Sequence, residues 1–205
     1  MQKIYKELVS YFSDLHGWWP MTRNFKPKEW EVCVGAILTQ NTNWKNVEKA
    51  LDNLAAAGIK DARSVAALAD NRLEKLIQPA GFYKQKAERL KLLAEFFIEN
   101  KNPDREKLLA IKGIGPETAD SILLYVYGKP YMPVDAYTRR VLQRMGKLKG
   151  NEGYEEIRHL LESSVEKNVS VYKKFHAGFV ELAKKHCMKK PVCKECPLAE
   201  DCEKH

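Results

Sequence analysis

Residues 111–120 read IKGIGPETAD, with Gly113 and Gly115 flanking Ile114 and Pro116 following at once. Glycines at this spacing open backbone angles closed to other residues and let another backbone approach closely. Pro116 then suits the first position of a helix, and Glu117 complements the positive end of that helix's dipole. Upstream, Leu108, Leu109 and Ile111 can pack a preceding helix against Ile122 and Leu123 of the following one. The unit predicted is helix, hairpin, helix. By itself Gly-Ile-Gly-Pro also reads as an ordinary tight interhelical turn. A hairpin that opens a helix, however, presents backbone N–H groups to a phosphate. Lys112, Gly113, Ile114 and Gly115 are therefore the candidate DNA contacts of the hairpin. Downstream, Asp135 in PVDAYTRR is both a good N-cap for a helix from Ala136 and a carboxylate placed to act beside an anchored strand.

The rest of the chain fits an all-α protein. Apolar residues recur at helical spacing, as in Ile4, Leu8, Tyr11, Phe12 and Leu15, or Leu90, Leu93, Ala94, Phe97 and Ile98. Further helices are predicted over 29–38, 44–57, 62–69, 73–77, 84–99, 105–110, 116–127, 136–145, 154–166 and 172–186, with punctuation at Gly58, Pro79–Gly81, Pro103, Gly128–Pro133 and Gly150–Gly153. Alternating strand patterns are missing. At 205 residues the chain can bury a real core, and no Pro- or Ser-rich linker divides it. A formal charge of +8 favours a polyanionic partner, because Lys and Arg displace counterions from a phosphate backbone. The first residues lack the apolar core of a secretory signal, and no apolar run approaches the roughly 20 residues of a membrane helix. A cytoplasmic monomer without membrane contact is expected, and in that compartment five cysteines do not imply a disulfide framework.

Four of those cysteines, Cys187, Cys193, Cys196 and Cys202, form C-x5-C-x2-C-x5-C in a tail without helical periodicity. Four thiolates this close can hold a [4Fe–4S] cluster or a zinc ion. Structural zinc sites usually supply two short Cys pairs, and only one C-x2-C is present, so the spacing favours the cubane. Lys189 and Lys190 lie inside the first loop, where they suit phosphate binding or a solvated charge run. Cys33, on an apolar helix face, reads as core.

The stretch from Leu108 to Gly146 resembles the helix-hairpin-helix and Gly/Pro-rich loop with its following aspartate that define the endonuclease III superfamily of DNA base-excision glycosylases. The similarity extends over nearly the whole chain. It implies a two-lobed helical fold, with one lobe of residues 30–130 and a second of 1–29 plus 131–205, the latter ending in an iron–sulfur loop. The family's loop typically has six residues in its first gap, where this chain has five. The implied reaction is hydrolysis of an N-glycosidic bond, with Asp135 as the carboxylate that stabilises an oxocarbenium-like sugar and orients or deprotonates water. The base must first leave the stack of duplex DNA. Bifunctional members carry a lysine two residues after the second hairpin glycine, where its amine forms a Schiff base. Here that position is Glu117, which cannot make the imine, so the chain resembles the monofunctional branch without lyase activity.

The damaged base is read from elsewhere. Gln40, in LTQNTNW, matches the residue that fills the gap left by a flipped nucleotide, although a Gln near a helix end is often a mere cap. Adenine-mispair members place a glutamate four positions earlier, where this chain has Ala36, and thymine-mismatch members tend to have Tyr at the position of Glu117. Trp18, Trp19 and Pro20 form WWP, two adjacent tryptophans that are either core anchors or a stacking wall. With Gln40 and an aromatic at Trp44, this element resembles the endonuclease III-like 3-methyladenine DNA glycosylases, whose pocket stacks alkylated purines between aromatics. Lys184 matches a pocket lysine of that subgroup, though it also sits in a basic run. The reading is a hydrolase that releases alkylated purines from duplex DNA. Its rivals are a pyrimidine-lesion or mismatch glycosylase and a non-catalytic DNA-structure binder.

Overall fold

A computed structural model describes residues 1–15, 18–19 and 21–203. Among them are eleven α-helices and two short 3-10 segments, with no strand. No helix of the described residues is long and apolar enough to cross a membrane. The chain divides into two compact units, one of Met1–Trp18 with Gly128–His205 and one of Trp19–Tyr127.

In the second unit, α2 (Glu29–Leu38) is buried along its whole length from Trp30 to Leu38. A helix apolar on all sides belongs at the centre. Around it pack α3 (Trp44–Ala56), α6 (Tyr83–Glu99) and α8 (Pro116–Tyr125). Helices α4 (Ala62–Ala67) and α5 (Asp70–Ile77) lie against α6, and α7 (Arg105–Leu109) lies against α8. Local chemistry starts several of them. The side chains of Asn43, Asp61 and Asp104 each accept a backbone N–H from the first turn of α3, α4 and α7. Phe82 precedes α6 in the left-handed region, at φ 47°.

Glu31 ties Thr22 and Arg23 to α2. Its side chain, 1% exposed, accepts the backbone N–H of Thr22 at 3.2 Å and of Arg23 at 3.0 Å, and the Arg23 guanidinium at 3.3 Å. Glu31→Ala leaves two backbone donors without their acceptor and takes from Arg23 one of its two carboxylates, the other being Asp52, so a destabilisation of about 3 kcal/mol is expected in urea unfolding.

In the first unit, α1 (Gln2–Tyr11) and α9 (Ala136–Arg144) both pack on α11 (Val169–Lys185), with α10 (Tyr154–Glu162) completing the set. A Cβ on Gly178 would come within 3.0 Å of the Leu8 side chain, so a glycine sets how closely α1 and α11 approach. Three predicted boundaries move by three residues or more, the first being the start of α5, at Asp70 rather than Leu73. Helix α10 stops at Glu162, and α11 begins at Val169 because the Asn168 side chain accepts the N–H groups of Ser170 and Val171.

Candidate active site

Asp135 is the N-cap of α9, and its Oδ1 accepts the Thr138 N–H at 2.7 Å. Two buried residues lead up to it, Met132 and Val134, whose N–H groups are held by Glu162 and by the Tyr154 hydroxyl. The second oxygen, Oδ2, faces Nε2 of His176 on α11 at 3.5 Å. Burial pushes the Asp135 carboxyl up, but the His176 contact and the capping N–H outweigh it and hold the group below its ordinary value. A donor that fixes the side chain thus also favours its ionised form.

The same histidine ring stands edge-on to Trp18, with centroids 5.6 Å apart. Trp18 in turn donates its indole N–H to Glu181 Oε1 at 3.0 Å. Lys184 Nζ lies 5.4 Å from the Trp18 ring centroid and 3.4 Å from the same Glu181 oxygen. Asp135, His176, Trp18, Glu181 and Lys184 thus form one chain of contacts within the first unit. A π face backed by a carboxylate and topped by a cation is an aromatic surface with a defined electrostatic setting. His176 had no special standing in the sequence; no local spacing connects it to Asp135.

The neighbouring tryptophan does something different. Trp19 is buried in the second unit, perpendicular to Trp44 at 6.0 Å and tilted against Tyr125 at 5.1 Å. Gly35 of α2 lies beneath, where a Cβ would already touch Trp44 at 3.4 Å and Trp19 at 3.5 Å. Pro20 lies outside the described residues.

The hairpin also belongs to the second unit. Ile114 is buried and donates its N–H to Ile111, while Gly113 takes φ 85°. Lys112 is exposed and pairs with Glu88 at 2.7 Å. Gly115 caps α8, whose first turn carries Pro116 and Glu117, and its carbonyl accepts the Ala119 N–H. Gln40 reaches this hairpin through its amide, donating to the Gly113 carbonyl at 3.2 Å and to Thr118 Oγ1 at 3.1 Å. Phe82, which local spacing did not single out, is 64% exposed.

In the tail, Cys187, Cys193, Cys196 and Cys202 line one small cavity together with Arg144 and His186. Arg144 donates to Cys187 Sγ at 3.3 Å and to the carbonyls of Met188 and Lys189 at 2.6 and 3.2 Å. Lys189 and Lys190 are exposed. Among the described residues, no three Cys, His, Asp or Glu side chains gather tightly enough to hold a single metal ion.

Residues 34–167 match the model of the HhH-GPD superfamily base excision DNA repair proteins. A protein of Methanocaldococcus jannaschii that carries the provisional name DNA repair glycosylase is 41% identical, over 98% of this chain and 94% of its own length. Endonuclease III of Thermotoga maritima is 29% identical, over 99% of this chain and 92% of its own. Among solved structures, the Helicobacter pylori 3-methyladenine DNA glycosylase bound to 1,N6-ethenoadenine superposes with a TM-score of 0.78 at 30% identity, covering 90% of this chain and 97% of that one.

Proposed function

Because the chain belongs to the HhH-GPD superfamily of base excision DNA repair proteins, we propose that it is a monofunctional DNA glycosylase that releases alkylated purines of the 3-methyladenine type from duplex DNA. The observation that carries this reading is the Trp18 ring, fixed by Glu181, topped by Lys184 and linked through His176 to the carboxylate of Asp135. Alkylation at N3 makes the purine cationic and a good leaving group. Stacking and cation–π attraction then select it, with little need for a strong general acid. The likeness to the Helicobacter enzyme supports the same substrate class.

In the proposed reaction, Asp135 stays ionised and faces the sugar as positive charge develops on it. Water attacks, its proton passing to the carboxylate, and the products are a free base and an abasic site. Glu117, on the first turn of α8, offers no amine to the sugar, so hydrolysis is the whole reaction. The hairpin Lys112–Gly115 and the exposed Lys189 and Lys190 serve the phosphate backbone.

Cys187, Cys193, Cys196 and Cys202 fit a [4Fe–4S] cluster as four thiolates around one cavity, with Arg144 donating to Cys187 Sγ as an outer support. A bound cluster would supply cross-linking to a tail that buries little, with no redox role in a hydrolysis.

The test is to identify the base released from a methylated duplex, beside oxidised and mismatched duplexes. Release of 3-methyladenine is expected. Release only from oxidised or mismatched substrates would overturn the substrate class, and no abasic sites at any enzyme concentration would make the chain a DNA binder. Borohydride is expected to trap no covalent complex. Protein purified anaerobically should contain iron and absorb broadly in the blue; stoichiometric zinc would overturn the cluster.

A further inference from the structure

The Gln40 amide is engaged at both ends. Besides its bonds to Gly113 and Thr118, its Oε1 accepts Nη1 of Arg89 at 2.5 Å. Arg89 stands on the second turn of α6, half-buried, and makes no ion pair among the described residues. Its side chain lies against the hairpin so closely that a Cβ on Gly113 would come within 2.3 Å of Nε. Gly113 is thus required twice, by its φ of 85° and by the arginine beside it.

One turn earlier on the same helix, Lys86 is buried and donates to the carbonyls of Leu38 and Ala80, both at 2.8 Å. Helix α6 therefore holds the Gln40 segment twice, by its backbone through Lys86 and by its side chain through Arg89.

The consequence falls on a single peptide plane. The Gly113 carbonyl is held by Gln40, and the Ile114 N–H of the same plane is held by Ile111. A planar peptide fixed at both polar groups cannot rotate. Thr118, on the first turn of α8, is tied to the same amide, so the hairpin and the start of the helix keep one spacing. The N–H groups at the start of α8 are the ones a phosphate would meet. Fixing them beforehand removes ordering cost from binding.

We propose that Arg89 is a positioning residue for DNA binding, which acts through Gln40 to hold the hairpin in its phosphate-receiving form. The proposal rests on the hairpin as a DNA contact and is independent of which base is released. It also gives Gln40 a duty before any base leaves the helix. A residue that merely fills the gap of a flipped nucleotide matters only on damaged DNA; a brace matters on every duplex.

The experiment uses the intact protein and an undamaged duplex, with fluorescence anisotropy over a range of salt concentrations. Gln40→Ala and Arg89→Ala are each expected to weaken binding about tenfold. The double variant should be no weaker than either single one, since both break one device. The slope of log affinity against log salt should stay unchanged, and Arg89→Lys should restore little, because the shorter lysine ends before the position of the Nη1 that meets Gln40. A slope flatter by about 0.9 in Arg89→Ala, with recovery in Arg89→Lys, would make Arg89 a plain phosphate contact and overturn the proposal. Wild-type affinity in Gln40→Ala would overturn it too. If the alanine variants melt early, Arg89→Lys decides: weak binding with a normal melting temperature supports the brace, and normal binding refutes it. Base release plays no part in this assay, so a wrong substrate class leaves its outcome untouched.

Discussion

Asp135→Asn should lower the rate of base release about a thousandfold while duplex affinity stays near the wild-type value. Asparagine caps a helix as well as aspartate does, so its side-chain oxygen still accepts the Thr138 N–H and α9 keeps its start. What disappears is the negative charge opposite His176 and, in the proposed reaction, opposite the sugar. Single-turnover release from a methylated duplex measures the loss, and anisotropy with the same duplex measures binding. Undiminished release would remove Asp135 from the chemistry.

The same substitution has a signature in pH. The folded carboxyl lies below its ordinary value, against the effect of burial, because of His176 and Thr138. A carboxylate depressed on folding stabilises the protein above its unfolded value, about 3.9, and that contribution is lost as pH falls through the folded value. The stability gap between wild type and Asp135→Asn should therefore still be present between pH 7 and 5 and be lost only below about pH 4. Titration of Asp135 should also leave base release unaffected across that upper range. A gap that already closes between pH 6 and 5 would contradict the depressed carboxyl.

Asp120→Ala should destabilise the protein by about 3–5 kcal/mol, the range for breaking a buried ion pair on one side. Asp120 is 0% exposed and takes Arg105 in a two-pronged contact, Nε to Oδ1 at 2.6 Å and Nη2 to Oδ2 at 3.1 Å. This pair joins α7 to α8 across the hairpin, so the helices that present the glycines are held by a charge contact as well as by Leu108, Ile122 and Leu123. Urea unfolding measures the loss, which is a large share of the 5–15 kcal/mol typical of a domain. Arg105→Ala should add less than its own single cost to Asp120→Ala, because both substitutions remove the same ion pair. A loss under about 1 kcal/mol would mean that apolar packing alone holds the hairpin.

The helix-hairpin-helix was legible because its signals are local. Gly113 needs a positive φ, Pro116 starts α8, and Asp135 caps α9, each within a few residues of the position that it determines. The all-helical class followed from apolar spacing for the same reason, and the start of α11 is set by a local cap, Asn168. The spacing of the four cysteines suggested a ligand set, and all four line one small cavity. By contrast, nothing local distinguishes Trp18 from Trp19. The first meets His176 and Lys184, while the second is buried against Trp44 and Tyr125.

What the sequence by itself determined, then, was the motif: a glycine hairpin that opens a helix, a capping carboxylate at Asp135, and Glu117 in the first turn of α8. The tertiary structure alone decided which distant groups stand beside them, His176 against Asp135 and Arg89 against Gln40 and Gly113. Backbone preference acts over a turn or two of chain. Those pairings depend on how α9 packs on α11, and on where α6 meets the segments that carry Gln40 and the hairpin, and burial drives that packing without a local signature.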